Sequence, residues 1–187
     1  IAALTESPLN FPLAVKIDSP AIAHKTEAGA VRLNVQTLAQ LKDAAAAVVA
    51  NAKRYKPDAQ INGVLVAEMA AGTEVIIGVV NDQFFGPVVM FGLGGVFAEL
   101  LKDVTYRFAP FDIDTAREMV AEIKAAKLLT GYRGSAPLAT EALADVLARM
   151  SLLAADHADR IAEIDINPLF VSAAGVVAAD ALVVLKA

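Results

Sequence analysis

Ile164-Asp165-Ile166-Asn167-Pro168-Leu169-Phe170-Val171 is followed, after Ser172-Ala173-Ala174-Gly175, by Val176-Val177-Ala178-Ala179-Asp180. Two apolar, strand-like runs around a short turn read as a β-hairpin. Pairing Val171 with Val176 sets Asn167 opposite Asp180, and Asp165, two residues from Asn167, joins their face. Three hard oxygen donors then lie together in an otherwise apolar hairpin. Such a set suits a magnesium ion that also carries a nucleotide's phosphates. A slip of one residue would separate Asn167 from Asp180 and turn them to opposite faces.

Outward from the hairpin, 187 residues suffice for one large domain or two small subdomains sharing a core, and 57% of them are hydrophobic. There is no cysteine, hence no disulfide and no thiol nucleophile, and two histidines exclude a His-rich metal site. A net charge of -5 argues against nucleic acid and anionic membranes as partners. No apolar run approaches the roughly 20 residues of a membrane span. No cleavable signal is visible, and the start Ile1-Ala2-Ala3 suggests a processed chain or a piece of a longer one.

Residues 12–18 alternate, with Leu13, Val15 and Ile17 on one face and Ala14, Lys16 and Asp18 on the other, which predicts a half-buried strand. A loop holding His24, Lys25 and Gly29 leads to a second strand over Val31–Val35. Thr37-Leu38-Ala39-Gln40 matches a capping box opening a helix, and the polar stretch from Lys53 to Asn62, with Pro57, reads as loop. Strands follow over Val64–Met69, Glu74–Val80 and Pro87–Phe91. Gly92-Leu93-Gly94-Gly95 then leads into a short helix through Leu101. Asp114 and Thr140 are the expected N-caps of two further helices. Strands and helices mix without strict βαβ alternation, so the expected class is α+β.

Several residues in this frame have two readings. Lys16 either snorkels to solvent or neutralises phosphate oxygens. His24 is either a surface loop residue or, beside Lys25, a phosphoryl acceptor. Glu68 and Glu74 either end strands at the surface or line a nucleotide cleft, where Gly78 leaves room for a ligand. Gly94-Gly95 is a flexible turn or an anion nest, with Glu99 one helical turn on. Arg107 and Arg133 are surface residues or clamps for phosphate or carboxylate. Met69, Met90, Met119 and Met150 read as packing.

Singly these signals are weak; their order is specific. Phe11-Pro12-Leu13-Ala14-Val15-Lys16-Ile17, the stretch from His24-Lys25 to Val31, Glu74 to Val79, Phe85 to Gly95 and Asp165-Ile166-Asn167-Pro168-Leu169 run along nearly the whole chain. In that order they closely resemble the ATP-grasp region, the β part, of NDP-forming acyl-CoA synthetases such as ADP-forming acetyl-CoA synthetase. The β subunit of succinyl-CoA synthetase is similar at greater distance.

The resemblance implies an ATP-grasp fold with two α/β subdomains around a nucleotide cleft, residues 1–72 forming a partial N-terminal subdomain and 73–187 a C-terminal one with the metal hairpin. It implies that Lys16 and Lys25 meet ATP phosphates, that Glu68, Met69 and Ala70 form the adenine hinge, and that Glu74 lines the cleft. Asn167 and Asp180 would bind Mg²⁺, with Asp165 close by. Gly94, Gly95 and Glu99 would meet a phosphohistidine segment, and His24 would be a second, relay phosphohistidine. The implied activity is that of a cytoplasmic acid–thiol ligase, passing phosphate between phosphohistidine and ADP or ATP. The implied partner is a CoA-binding α part, fused or separate, which brings CoA and a small carboxylic acid, in a possible oligomer. Only about ten residues precede the lysine strand, so part of the N-terminal subdomain is expected to be missing. Gly29-Ala30 stands where the family has Gly-Gly. A second reading is a regulatory ATP-grasp-like module of a protein lysine acetyltransferase, which the retained site residues disfavour. A carboxylate–amine ligase is disfavoured by the Phe-Gly-Leu-Gly-Gly and His-Lys stretches.

Overall fold

A computed structural model describes residues 1–95 and 103–186. The chain divides into two compact units, Ile1–Met69 and Ala70–Ala187. In the first, strand β1 (Leu13–Asp18) lies between β2 (Val31–Val35) and β3 (Gly63–Glu68), antiparallel to both. Its alternation buries Leu13, Val15 and Ile17 on one side. Leu13 and Val15 pack with Leu41 and Val48 of helix α1 (Leu38–Tyr55), and Ile17 with Ile22 and Ala52. Ala14 and Lys16 take the opposite face.

Helix α1 begins where the capping box predicts. Thr37 Oγ1 accepts from the Gln40 amide at 3.2 Å, and Gln40 Oε1 accepts from the Gln36 amide at 2.8 Å. The helix runs past the expected loop start at Lys53 and ends at Tyr55. Lys53 and Arg54 in the last turn complement the negative end of the helix dipole, and Pro57 disfavours helical geometry only at the residue before it, Lys56. Polarity there marks an exposed helix end, not a break.

The second unit is an antiparallel sheet in the order β6-β5-β4-β7-β8, built from β4 (Thr73–Asp82), β5 (Gly86–Leu93), β6 (Val104–Phe108), β7 (Ile161–Ser172) and β8 (Gly175–Ala178), with β9 (Ala181–Leu185) also on β7. Helices α2 (Ile113–Glu122), α3 (Ala126–Thr130) and α4 (Thr140–Asp156) belong to the same unit. Val75, Ile77, Val89 and Phe91 from the strands form one core with Met119 of α2 and Leu143 and Leu147 of α4. The alternate residues of the strands form the sheet's open face.

Two caps differ from expectation. Asp112, not Asp114, caps α2: its Oδ1 accepts from the Thr115 amide at 2.9 Å, while Asp114 lies in the first turn and pairs with Arg117. Thr140 is the first helical residue of α4, and Ala139 holds the cap position without a side-chain bond. Strands β6 and β9 and helix α3 have no counterpart in the sequence reading.

The closing hairpin has the expected register, with Val171 opposite Val176. Its second arm is longer than expected: β9 continues along β7 after a break at Ala179 and Asp180, pairing Leu182 with Asp165. Against β4, the register shifts so that Asn167 and Pro168 together oppose one residue, Ile76, between the pairs Ile77–Ile166 and Val75–Leu169. This is a β-bulge, at a proline that has no amide to give the ladder. It changes the phase of burial along β7 from Ile164 and Ile166 to Leu169 and Val171. Asp165 and Asn167 stay on the open face while the apolar residues beyond them turn inward.

Candidate nucleotide and metal site

Cross-strand pairing orders the open face of the second unit into rows. Gly78 of β4 lies between Met90 of β5 and Asp165 of β7. One row along, Ile76 lies beside the Asn167–Pro168 bulge. The Asn167 amide donates to the Asp180 carbonyl at 3.3 Å and the Ala179 amide to the Pro168 carbonyl at 2.9 Å. Asn167 thus lies opposite Asp180, as the sequence predicts. Asp180 sits at the break between β8 and β9, where its Oδ1 accepts from the Ala181 amide at 3.2 Å.

At the end of the same face, Glu74 meets the Gly94-Gly95 turn. The Gly94 amide donates to the Glu74 carbonyl at 2.8 Å. A Cβ on Gly95, whose φ is +64°, would lie 3.0 Å from Glu74 Oε2. A Cβ on Gly94 would lie 3.1 Å from Glu74 Cβ. The Glu74 backbone and Cβ crowd Gly94, whereas Gly95 is favoured chiefly by its positive φ, since the Glu74 carboxylate can move aside. Gly78 differs from expectation: the space above it is taken by the Met90 side chain, whose Cε would lie 3.2 Å from a Cβ on Gly78. Met90 therefore belongs to the open face and not to the core. Glu99 lies outside the described residues.

In the first unit, Lys16 is 9% exposed and lies between Val31 and Leu65 on the face away from α1. The His24–Lys25 loop is closed by bonds from the Ala28 amide to the His24 carbonyl (3.2 Å) and from the Ala30 amide to the Lys25 carbonyl (2.8 Å). Gly29, at φ +60°, presents its carbonyl to Asn51 Nδ2 at 2.8 Å, which ties the loop to α1. His24 is exposed and Lys25 half-buried.

Glu68 pairs with Leu13, so its side chain shares the α1 face and not that of Lys16. Its Oε1 accepts from both the amide and Nδ2 of Asn10, each at 2.9 Å. The carboxylate thus holds the N-terminal segment. The Met69 amide donates to the Pro12 carbonyl at 3.0 Å, and the division between the two units falls between Met69 and Ala70.

Arg107 pairs with Glu122 of α2, which raises the guanidinium's pKa and holds the Glu122 carboxyl below its ordinary value. Arg133, at φ +50°, stacks on Tyr132 with 5.4 Å to the ring centroid, in the loop after α3.

Residues 2–185 match the family model described as an ATP-grasp domain. The chain belongs to the ATP-grasp family. It is 46% identical over 181 residues to the β subunit of acetate–CoA ligase (ADP-forming) II of Pyrococcus furiosus, covering 95% of this chain and 77% of that one. The β subunit of ligase I of the same organism is 44% identical, with 95% and 76% covered. Among solved structures, a dinucleotide-forming acetyl-coenzyme A synthetase 1 of Ca. Korarchaeum cryptofilum, in complex with coenzyme A, Ca-AMPCP and HgCl⁺, superposes with a TM-score of 0.88 at 43% identity, covering 95% of this chain and 77% of that one. These relatives are named as acid–thiol ligases, and the mixed α+β architecture is that of the ATP-grasp fold.

One buried carboxylate of this ATP-grasp chain escaped the sequence reading. Asp103 is 6% exposed and accepts from the Lys124 amide at 2.8 Å and the Ala125 amide at 2.9 Å. It ties the start of β6 to the turn before α3. Its partners are about twenty residues away in sequence, so no local pattern announces it. Gly92 is coupled to the same junction, since a Cβ there would lie 2.7 Å from the Asp103 carbonyl oxygen and from Val104 Cγ1.

The donor chemistry fits magnesium held jointly with phosphate. Among the described residues no group of three or more His, Cys, Asp or Glu could hold a metal alone. Asp165, Asn167 and Asp180 offer carboxylate and amide oxygens, the hard donors that magnesium takes.

Proposed function

We propose that this chain is the ATP/ADP-binding, phosphoryl-transfer part of an NDP-forming acyl-CoA synthetase of the acetyl-CoA type. The observation that carries the reading is one sheet face on which Asp165, Asn167 and Asp180 lie in rows adjoining Glu74 and its Gly94-Gly95 turn. The names of the relatives supply the reaction class, acid–thiol ligation with ADP formation. A related synthetase structure bound to Mg-AMPPCP is described as having a phosphohistidine segment pointing towards the nucleotide site.

In this reading the Met69–Ala70 backbone receives the adenine. Lys16 and Lys25 place positive charge against the phosphates. Asn167 and Asp180 would hold Mg²⁺, with Asp165 close by, and the bound ion would supply positive charge that offsets the phosphate oxygens. The P–N bond of a phosphohistidine breaks as a β-phosphate oxygen of ADP forms the new P–O bond, and the reverse step phosphorylates the histidine. Gly94, Gly95 and Glu99 receive the phosphohistidine segment, and exposed His24 is a relay acceptor. CoA and the carboxylic acid enter through a CoA-binding partner, and the assembly works in the cytoplasm.

Calorimetry of Mg-ATP binding, followed by acyl-CoA formation with the CoA-binding part supplied, tests the reading. Asp180→Ala is expected to abolish magnesium-dependent binding and turnover. Full activity of that variant would show that the metal wall lies elsewhere. His24→Ala is expected to block phosphate transfer to ADP while leaving acyl phosphate able to phosphorylate the partner's histidine. Unchanged ATP synthesis by that variant would make His24 an ordinary loop residue.

A further inference from the structure

The tip of the β4–β5 hairpin projects two phenylalanines into solvent. Phe84 is 82% exposed and Phe85 69%. Their backbone is held: Asp82 Oδ1 accepts from the Phe84 amide at 2.7 Å and from the Phe85 amide at 2.9 Å. Phe85 packs on Phe108 with ring centroids 5.7 Å apart. Phe108 is itself 62% exposed, and Tyr106, two residues before it on the same face of β6, 57%. The row continues across the sheet, from Phe108 to Val88, to Val80 (56% exposed) and to Glu163 of β7.

The chain has eight phenylalanines, three tyrosines and no tryptophan, and four of these rings crowd this corner. At roughly 150–250 Å² per aromatic side chain, their exposure amounts to about 500 Å² of ring surface. That is at the upper end of the roughly 300–600 Å² that marks the largest patch on a monomer, and more than half of the roughly 800 Å² one partner gives a stable interface. Rigid, preorganised aromatics are the residues that anchor such interfaces.

Charge decides between occupants. Glu163 is exposed, lies in this apolar row between Val80 and Val184, and makes no ion pair among the described residues. A second copy docked face to face would bring Glu163 towards its own equivalent in a chain of net charge -5. A different chain with an apolar surface and a lysine or arginine suits the patch better. The patch also shares the open face with the candidate site, because Val80 and Gly78 alternate along β4, with Glu163 and Asp165 beside them.

We propose that the Phe84–Phe85 hairpin tip, with Tyr106, Phe108, Val80 and Glu163, is the docking surface for the CoA-binding part of the synthetase. The inference rests on the function proposed above. It makes this face both the phosphate site and the place where the phosphoryl donor's carrier lands.

Biolayer interferometry of the full chain against that CoA-binding part, supplied as a separate chain, tests it. Phe84→Ala is expected to weaken association at least about tenfold. Glu163→Lys is expected to slow association and flatten its salt dependence. Both variants should keep Mg-ATP affinity and thermal midpoint, because neither residue lies in the nucleotide site. Undiminished partner binding by Phe84→Ala overturns the proposal. So does concentration-dependent self-association of the wild type that Phe84→Ala abolishes, since the patch would then belong to a second copy. Weak partner binding by Phe84→Ala supports docking whether or not the wild type binds Mg-ATP, whereas absent Mg-ATP binding sinks the functional reading alone.

Discussion

Gly72 has φ +144°, and a Cβ there would lie 2.5 Å from the Val171 carbonyl oxygen. Backbone cannot yield as a side-chain tip can, so Gly72→Ala is expected to cost more than about 1 kcal/mol, read as a lower urea midpoint. Gly95 is a different case, because the nearest atom to its absent Cβ is the carboxylate end of Glu74, which can move. Gly95→Ala is expected to displace Glu74 and cut phosphoryl transfer more than it cuts stability. Equal losses in both would assign the glycine to folding. Lys16, at 9% exposure, is expected to tolerate methionine in the fold and lose at least about tenfold in ATP affinity; unchanged affinity by calorimetry would remove it from the phosphate site. The identities of Asp165, Asn167 and Asp180 were legible because oxygen donors stand out in an apolar run. Asp103 was not, because its two amide partners are remote in sequence. Glu68 was legible as a strand end, but which face its carboxylate took depended on its pairing with Leu13.

Among the elements, α1 was readable from its capping box and its 3.6-residue apolar period. Thr37→Ala is expected to cost about 1 kcal/mol, measured by chemical denaturation, and a loss near zero would mean that Gln40's bond to the Gln36 amide carries the cap. In α4, Leu147 is fully buried against the sheet, and Leu147→Ala is expected to cost about 3 kcal/mol. The β7 bulge was not readable. Strict alternation would put Leu169 and Val171 on the same face as Asp165 and Asn167; only pairing with β4, which gives Ile76 two partners, turns them into the core. Strands β6 and β9 were missed for a related reason. Both are short; β9 is exposed along its whole length, and β6 turns Thr105 inward and Tyr106 and Phe108 outward, so neither shows the apolar-in, polar-out alternation that marks a strand.

At the scale of the whole molecule, acid is expected to loosen the second unit through two pairs that join its elements. Glu122 with Arg107 connects α2 to β6, and Glu141 with Arg117 connects α4 to α2. Both carboxyls lie below their ordinary value of 4.5, chiefly through hydrogen bonds from the guanidinium groups. A depressed folded-state pKa gives stability that is present above the unfolded value and lost as pH falls through the folded one. The thermal midpoint should therefore drop below pH 4.5, and less steeply in an Arg107→Gln, Arg117→Gln variant; identical slopes would remove these pairs from the acid response. The sequence by itself determined the elements with strong periodicity, the hairpin register around Val171 and Val176, and the kinds of side chain available for phosphate and metal, because those depend on neighbours within a turn or a strand. Tertiary pairing decided that Glu68 serves Asn10, that Arg107 serves Glu122, and that Met90 fills the space over Gly78. It also decided that four aromatic rings gather at one corner beside the candidate site. Each of these depends on which strands lie side by side, a choice made by burying two faces at once and invisible to any local stretch of chain.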